Sequence, residues 1–268
     1  MLNLYIILVY VRHLPIFFVM VSIISKFDWL SEYYTKYRPS YSEDSINYIL
    51  KTAKNNVEYI ADIWAWTWKL TEQFLNKWKV VYAVEPNHEM LNQLITKLWN
   101  AENFRYIQST AEKISLPDYS IDLVAVGQAF HWFDTKLFKK ECKRILNKTW
   151  RVAILYNNWD KNSEIIKVID ELSKKYCPLY KWSSWWLDNK ESVFKEFFSE
   201  YETLIFPNDY TLTLEAFLWL NFSASYAPKQ WDKNYLTYKE NLETIFNKYA
   251  LWGLITMNNN TVLRLWVI

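Results

Sequence analysis

The stretch from Val57 to Lys69, which reads VEYIADIWAWTWK, constrains the fold of this chain more than any other. Its first half, Val57 to Ile63, is an apolar, β-favouring run that is typical of a buried strand. Its second half is expected to be a tight turn leading into a helix that begins near Trp68 or Lys69. A strand, a turn and a helix in that order bring backbone N–H groups to a helix N-terminus, where polar cofactors bind.

Three tryptophans occupy this turn at positions that normally require glycine. Such a turn needs a backbone with positive φ and space for a ligand to approach, and glycine provides both. Here Trp64, Trp66 and Trp68 stand at those positions. With glycine in their place, the segment from Asp62 to Lys69 would read DIGAGTGK.

Strand and helix patterns alternate through the centre of the chain. After the first strand, further strands are predicted at 80–84, 104–108, 121–126 and 151–156, with helices between them, one capped by Asn87 and one beginning at Asp134. This alternation favours a parallel sheet with helices on both faces. Open α/β sheets bind ligands beyond the carboxyl ends of their strands, and the residues predicted to lie at such ends are Asp62, Glu85, Thr110 and Gly127.

The glycine form of the turn resembles the first motif of class I S-adenosylmethionine-dependent methyltransferases. Four further segments resemble later motifs of that family in the right order: VVYAVEP at 80–86, STAEKISLP at 109–117, IDLVAVGQAFHW at 121–132 and LNKTWRVAIL at 146–155. The lead-in FDWLSEYYTKYRPSYS, at 27–42, and the segment SASYA, at 223–227, resemble the type 11 methyltransferases and their trans-aconitate methyltransferase-like subgroup.

The resemblance implies a Rossmann-like, seven-stranded, mainly parallel sheet with an antiparallel last strand pair and helices on both faces. Segments 253–257 and 262–267 fit that last pair. The methyltransferase domain would cover residues 26–268, with a cofactor-binding core at 57–157 and substrate-side or lid elements at 158–250.

The resemblance also implies S-adenosylmethionine as the cofactor and assigns residues to its site. Glu85 would accept hydrogen bonds from both ribose hydroxyls, Arg38 would lie near the cofactor carboxylate, and either Thr110 or Glu112 would meet the adenine amine. The cofactor-binding residues are expected to be Asp62, Trp64, Trp66, Trp68, Glu85, Pro86, Thr110, Ala111, Glu112, Gly127, Gln128 and Arg38. The substrate side is expected to include Tyr34, Tyr37 and Trp132.

The methyl acceptor is predicted to be a small molecule, and the subgroup resemblance points to a carboxylic acid. His131 is the candidate base for a hydroxyl or amine acceptor, although local hydrogen bonding explains the residue equally well. A carboxylate acceptor needs no base. Two alternatives stay open: a nucleotide-binding oxidoreductase on a similar fold, because the acid at Glu85 would also suit the ribose of NAD, and a non-catalytic relative that only binds.

Composition suggests why tryptophan stands at glycine positions. The chain has 16 Trp and 2 Gly, whereas an average chain of this length has about 19 Gly. Trp78, Trp99 and Trp150 also follow or precede elements at glycine-type places. We hypothesise that UGA encodes glycine in the source organism and was translated here as tryptophan. The alternative is a protein with a tryptophan-rich, carbohydrate-binding surface. Trp132 is different, because the subgroup resemblance places a tryptophan there as well.

Charge, cysteine content and the N-terminal segment bear on the partners and the location of the protein. A net charge of +2 gives no electrostatic case for nucleic acid, and Cys142 and Cys177 form neither a metal-ligand spacing nor a disulfide framework, so no metal is expected and a reducing cytoplasm fits. Residues 1–25 are apolar but interrupted by Arg12, His13 and Pro15. A start at Met20 is the favoured interpretation, and a membrane anchor is the alternative.

Overall fold

The computed structural model describes residues 38–52, 57–66, 68–147, 151–180, 191–198, 200–224 and 226–267. The predictions for residues 1–25, for Tyr34 and Tyr37 and for Trp150 lie outside these ranges.

The first half of the described chain alternates helix and strand. Its elements are α1 (Glu43–Thr52), β1 (Tyr59–Ile63), α2 (Lys69–Leu75), β2 (Val80–Val84), α3 (His88–Leu98), β3 (Phe104–Ile107), β4 (Leu123–Gly127), a short 3-10 helix (Phe130–Trp132), α4 (Thr135–Ile145) and β5 (Arg151–Trp159). The five predicted strands are all present, although β1 begins two residues later than expected and β5 ends three residues later. The side chain of Asn87 caps α3, as predicted, and Asp134, which was predicted to begin a helix, is the N-cap of α4.

The second half supplies the remaining strands and a group of helices. Its elements are α5 (Glu164–Tyr176), α6 (Glu191–Phe197), β6 (Glu202–Pro207), β7 (Tyr210–Leu212), α7 (Leu214–Phe222), α8 (Tyr235–Tyr249), β8 (Ile255–Met257) and β9 (Asn259–Val267). Across the described ranges, no helix is both long and apolar enough to cross a membrane.

The main sheet has seven strands in the order β3-β2-β1-β4-β5-β9-β6. β1 to β5 run parallel to one another, and β9 pairs antiparallel with β5 on one side and with β6 on the other. This confirms the predicted Rossmann-like fold with an antiparallel strand pair. The strand order reverses between β1 and β4, which is the place where open α/β sheets form a ligand-binding crevice.

The prediction for the members of the last strand pair is wrong. Segment 253–257 does not pair with segment 262–267; instead β8 pairs with β7 in a separate two-stranded sheet, and β6 is the antiparallel partner of β9. The physical reason is that the β9 ladder begins already at Asn259, so only Asn258 separates it from β8. One residue is too short for a hairpin, whose commonest loops have two or more.

Alternate residues of the central strands enter two different cores. In β4, Val124 and Val126 pack in a cluster that contains Phe138 of α4, whereas Leu123 and Ala125 pack in a cluster that contains Ile46 of α1 and Phe74 of α2. All of these side chains are fully buried. Because successive strand side chains point to opposite faces, helices cover both faces of the sheet.

Candidate functional site

Two acids lie at the carboxyl ends of neighbouring strands. Asp62 in β1 is 2% exposed, and its Oδ2 accepts a hydrogen bond from Thr71 Oγ1 at 2.6 Å. Burial raises the pKa of Asp62 to about 7, although the hydrogen bonds from Thr71 oppose the shift. A carboxyl group with this pKa is only partly ionised near neutral pH.

Glu85, directly after β2, is even more enclosed. It is 1% exposed, and its Oε1 accepts from the backbone N–H of Asn87 at 2.9 Å. The backbone of Trp66 also stabilises the ionised carboxylate, but Oε2 makes no hydrogen bond to the described residues. Burial raises the pKa of Glu85 to about 8, and the nearby charge of Asp62 adds to the rise. The side chain therefore carries one buried acceptor oxygen that a ligand hydroxyl would satisfy.

The turn between β1 and α2 has the backbone geometry that was expected for glycine at Trp64 and Trp68, but not at Trp66, which does not have positive φ. The N–H groups of Trp64 and Ala65 both donate to Val84 O, at 2.7 and 3.1 Å. Trp64 has φ 66° and Trp68 has φ 48°, both in the left-handed region, and no side chain caps α2 at Trp68. Left-handed backbone costs a residue with a Cβ about 1–2 kcal/mol.

Tryptophan dominates the left-handed positions elsewhere as well. Six non-glycine residues of the described chain have positive φ, and four of them are Trp64, Trp68, Trp78 and Trp252. Trp78 thus adopts the backbone expected for a glycine site. Trp99 does not, because its φ is −54°, a value that any residue adopts, so the backbone there does not require glycine.

The residues predicted for the adenine side lie along the loop after β3. Ala111 is buried in the core, and Thr110 forms an isolated bridge with Lys113. The Glu112 carboxylate accepts a hydrogen bond from Asp134 N at 3.0 Å and so supports the start of α4. Pro86 lies across from this loop, where its carbonyl accepts from Gln108 Nε2 at 3.4 Å.

Gly127, at the end of β4, has no room for a side chain. A Cβ at this position would overlap the hydroxyl of Tyr41, whose ring lies over the strand end. The next residue, Gln128, has φ 58°, and its Nε2 donates to the carbonyl of Asn157 at 3.1 Å. The sheet edge at the strand-order reversal is therefore closed by Tyr41, a residue that the sequence did not single out.

A cavity of about 40 Å³ lies at this edge. Two cationic side chains, Arg38 and Lys69, line it, and burial lowers the pKa of Lys69. The cavity is also lined by Tyr41, Trp66, Gln128 and Asn157.

His131 lies in the 3-10 helix after β4. Its Nδ1 is 3.3 Å from the hydroxyl of Tyr156, and its ring stacks near Trp132 at a centroid distance of 4.5 Å. Tyr156 is fully buried in β5, and burial raises its pKa well above the usual value. Trp132 is 39% exposed. Across the described residues, no group of three or more His, Cys, Asp or Glu is placed to hold a metal ion.

Sequence reasoning missed the residues that the fold brings to the site from β5 and the segment before α1. Tyr41, Tyr156 and Asn157 all contribute, but their neighbours belong to distant parts of the chain. One signal was present, since Asn157 and Asn158 are polar residues that continue an apolar strand run beyond its core.

Comparison with known proteins adds independent evidence. Residues 67–154 match the family model described as a methyltransferase domain. An uncharacterized methyltransferase of Mycobacterium tuberculosis is 33% identical over 139 residues, which cover 52% of this chain and 55% of the relative. A Dictyostelium discoideum protein named as a methyltransferase is 32% identical over 129 residues, 48% of each chain. The chain thus covers about half the length of these relatives.

A solved structure named as a type II methyltransferase from Anaeromyxobacter dehalogenans has a similar fold. Its TM-score is 0.63 at 18% sequence identity, over 86% of this chain and 97% of that chain. At this identity the likeness concerns the fold alone. Residues 67–154 are thus similar to methyltransferase domains, and the fold of the chain agrees with that likeness.

Proposed function

We propose that this protein transfers a methyl group from S-adenosylmethionine to a small-molecule acceptor. The observation that carries the proposal is the buried carboxylate of Glu85, whose Oε2 has no partner among the described residues. A buried polar atom without a partner is costly, and ligand hydroxyls beside it would remove that cost. The ribose of S-adenosylmethionine offers two vicinal hydroxyls, which one carboxylate accepts well.

Asp62 supports the same cofactor through its charge. It lies one strand away from Glu85, and burial raises the pKa values of both acids, to about 7 and about 8. Carboxyl groups whose pKa values are displaced by burial in a crevice are typical of ligand sites. S-adenosylmethionine carries a sulfonium and an ammonium group, and a nearby positive charge would stabilise the ionised form of both acids.

The cavity at the sheet edge, which Asp62 and Glu85 do not line, is too small for this cofactor. The cavity measures about 40 Å³, and Trp66 forms part of its wall. Sites for ligands of this size enclose about 300–1,000 Å³. The polar groups therefore suit the cofactor, whereas the side chain of Trp66 narrows the cavity that it needs.

We infer that the natural protein has glycine at positions 64, 66 and 68, because UGA is read as glycine in its source organism. Positive φ at Trp64, Trp68, Trp78 and Trp252 supports glycine at four of the tryptophan positions. The expected gene has UGA codons at these places. UGG at 64, 66 and 68 would reject the inference.

Other tryptophans are proposed to be genuine, because their side chains make contacts that glycine lacks. Trp266 is 2% exposed and packs edge-on against Phe198 at a centroid distance of 5.5 Å. Trp159 Nε1 donates to Tyr210 Oη at 3.4 Å. We expect UGG at 159 and 266, and at 132.

A carboxylic acid is the proposed acceptor class. Arg38 and Lys69 bring two positive charges to the cavity, and Gln128 brings an amide group to it. Cations and amide donors together suit carboxylates, both that of the cofactor and that of an acidic acceptor. The subgroup resemblance of segments 27–42 and 223–227 points to the same class of acceptor.

The chain's own residues have limited chemistry to perform in such a reaction. When bound, S-adenosylmethionine supplies a methyl group on a positively charged sulfur, which makes that methyl electrophilic. The residues around it bind and align the acceptor and exclude water. For a hydroxyl or amine acceptor, His131 would also take up a proton, and its contact with the buried Tyr156 hydroxyl would hold the imidazole in one orientation.

Calorimetric titration tests the proposal. The chain with glycine at 64, 66 and 68 is titrated separately with S-adenosylmethionine and with NAD. Binding of S-adenosylmethionine alone supports the methyltransferase, whereas binding of NAD alone would replace it with an oxidoreductase, the class that the comparisons do not favour. A metabolite screen with a labelled methyl donor then identifies the acceptor, and a product labelled outside a carboxylate would contradict the acid class.

His131→Ala tests the role of the imidazole. If His131 accepts a proton from the acceptor, turnover should fall by about 100-fold or more while cofactor affinity is unchanged. The measurement is kcat from initial rates beside the Kd for S-adenosylmethionine. Equal turnover in the variant would mean that the acceptor needs no base at this place.

A further inference from the structure

The segment Arg38–Ser42, called the strap below, crosses the carboxyl edge of the sheet just before α1. Side chains from elsewhere hold its backbone. The N–H of Tyr41 donates to Gln73 Oε1 at 3.1 Å, and the carbonyl of Tyr41 accepts from Gln73 Nε2 at 2.7 Å. The N–H of Ser42 donates to Thr261 Oγ1 at 2.8 Å. The strap is therefore attached to α2 and to β9.

Asn157 of β5 makes the largest set of these attachments. Its Nδ2 donates to the carbonyls of Pro39 and Ser40, at 3.3 and 3.1 Å. Its Oδ1 accepts from Thr261 Oγ1 at 2.7 Å and from Asn208 Nδ2 at 3.1 Å. A carboxamide has two donor hydrogens and an oxygen with two lone pairs, so these four bonds use its whole capacity.

Asn157 and its partners connect the strap to β5, to β9 and to the segment between β6 and β7. Thr261 is fully buried and lies opposite Asn157 in the β5–β9 ladder. Asn208, between β6 and β7, also donates to the Ser40 carbonyl, at 2.7 Å. Because the backbone ladder of β5 and β9 does not depend on these side chains, changing Asn157 should release the strap without dissolving the sheet.

The strap carries two residues of the candidate site. Arg38 and Tyr41 line the cavity at the sheet edge, and the Tyr41 ring lies over Gly127. We propose that Asn157 is a positioning residue for cofactor binding, which acts by fixing the strap so that Arg38 and Tyr41 face the cofactor. The proposal rests on the proposed function, and it concerns affinity and not the methyl-transfer step.

The test compares Asn157→Leu and Asn157→Asp in the chain with glycine at 64, 66 and 68. Leu removes all four hydrogen bonds, and Asp replaces the two donors with a charge that faces two carbonyls. We expect the Kd and KM for S-adenosylmethionine to rise by about tenfold or more, as for a lost buried hydrogen-bonding group, while kcat changes by less than about twofold. Asn241→Asp on α8 is the matched control and should change neither.

Thr261 provides a rescue test of the same contacts. Thr261→Val removes the hydroxyl that bridges Ser42 and Asn157 and should raise KM in the same direction, whereas Thr261→Ser keeps the hydroxyl and should restore the parental value. Equal values for the two variants would contradict the proposal.

Hydrogen exchange of the ligand-free chain gives a readout that does not depend on the cofactor. In Asn157→Leu, the amides of Tyr41 and Ser42 should exchange faster, and those of β4 should not change. If the parent fails to bind S-adenosylmethionine, the proposed function fails, yet the exchange rates still decide the role of Asn157. Unchanged strap exchange, equal acceleration in β4, or a fall in kcat at constant KM would each overturn the proposal.

Discussion

Two strand-to-helix turns lie side by side at the carboxyl edge of the sheet, and they differ in how well their residues suit them. The turn after β2 ends in Asn87, which has φ −82° and whose side chain accepts from Met90 N at 3.0 Å. The turn after β1 ends in Trp68, which has φ 48° and offers no side-chain cap to α2. Asparagine is among the best capping residues. Tryptophan has no side-chain acceptor for a cap, and its bulk does not suit a left-handed backbone.

The comparison separates the demands of the fold from the identity of the residues. Both turns join parallel, neighbouring strands to helices, so the backbone path of each is fixed by the sheet. In the turn after β2, local preference and fold agree. In the turn after β1 they conflict at Trp64 and Trp68. The same conflict recurs at Trp78 and Trp252 while the sheet itself is regular, which indicates that these residues, and not the fold assignment, are at fault.

The largest effect on stability and cofactor binding is expected when glycine replaces Trp64, Trp66 and Trp68. Positive φ at two of these positions costs about 1–2 kcal/mol each for a residue with a Cβ, and the indoles also occupy cofactor volume. We expect the glycine form to melt at a higher temperature and to gain affinity for S-adenosylmethionine, which the tryptophan form does not bind. Thermal melts with and without the cofactor measure both effects.

Trp266→Gly is the matched control for that exchange. Trp266 is buried against Phe197 and Phe198, so its loss should destabilise the chain by about 3–5 kcal/mol, as for other large-to-small core changes. A rise in melting temperature for Trp266→Gly, or binding of S-adenosylmethionine by the tryptophan form, would contradict the distinction between the two groups of tryptophans.

The second prediction concerns pH. Burial raises the pKa values of Asp62 and Glu85 to about 7 and about 8. Between these values and the ordinary pKa near 4, the folded chain holds protons that the unfolded chain has released. The stability that these two acids contribute is therefore fully present below about pH 4 and is lost as pH rises through 7 to 8. For the ligand-free chain, the free energy of unfolding should fall between pH 5 and 9, and in Glu85→Gln this fall should be smaller by on the order of 3 kcal/mol. Denaturant melts at each pH measure it, and parallel curves for parent and variant would refute it.

The third prediction tests Glu85 as a ligand to the ribose. Glu85→Ala in the glycine form should weaken binding of S-adenosylmethionine by about 2–3 kcal/mol, the scale of a lost charged hydrogen-bonding partner. Glu243→Ala is a suitable control, because the Glu243 carboxylate pairs with Lys239 of the same helix at 3.6 Å and should matter mainly for α8. An unchanged Kd in Glu85→Ala would remove Glu85 from the site.

The sequence predicted those parts of the fold that rest on local signals. The alternation of buried strands and capped helices from β1 to β5, and the caps Asn87 and Asp134, depend on residues close together in the chain, and all were confirmed. The last strand pair was assigned wrongly because strand patterns do not specify a partner. β6 meets β9 across about 60 residues, and nothing in either segment alone encodes that contact.

The site was predictable to the same extent. The acids Asp62 and Glu85 follow apolar strands, and this position marked them in the sequence. Tyr41, Tyr156 and Asn157 reach the same edge through contacts between distant segments, for example 117 residues apart for Asn157 and Ser40. Local sequence patterns do not predict contacts between distant segments. They do predict turns and caps, because these involve neighbouring residues only.

The smallest expected effect on stability concerns the helix caps of the two turns. Asn87→Ala removes the acceptor of the Met90 N–H bond and should destabilise the chain by about 1 kcal/mol, which lowers the melting temperature by about 2–4 °C. Trp68→Ala removes no cap, because the Trp68 side chain makes none, and should cost less than the Asn87 change. Melting of both variants measures the difference. Equal losses would show that the two caps contribute alike, and that the contrast between the turns lies in the backbone of Trp64 alone.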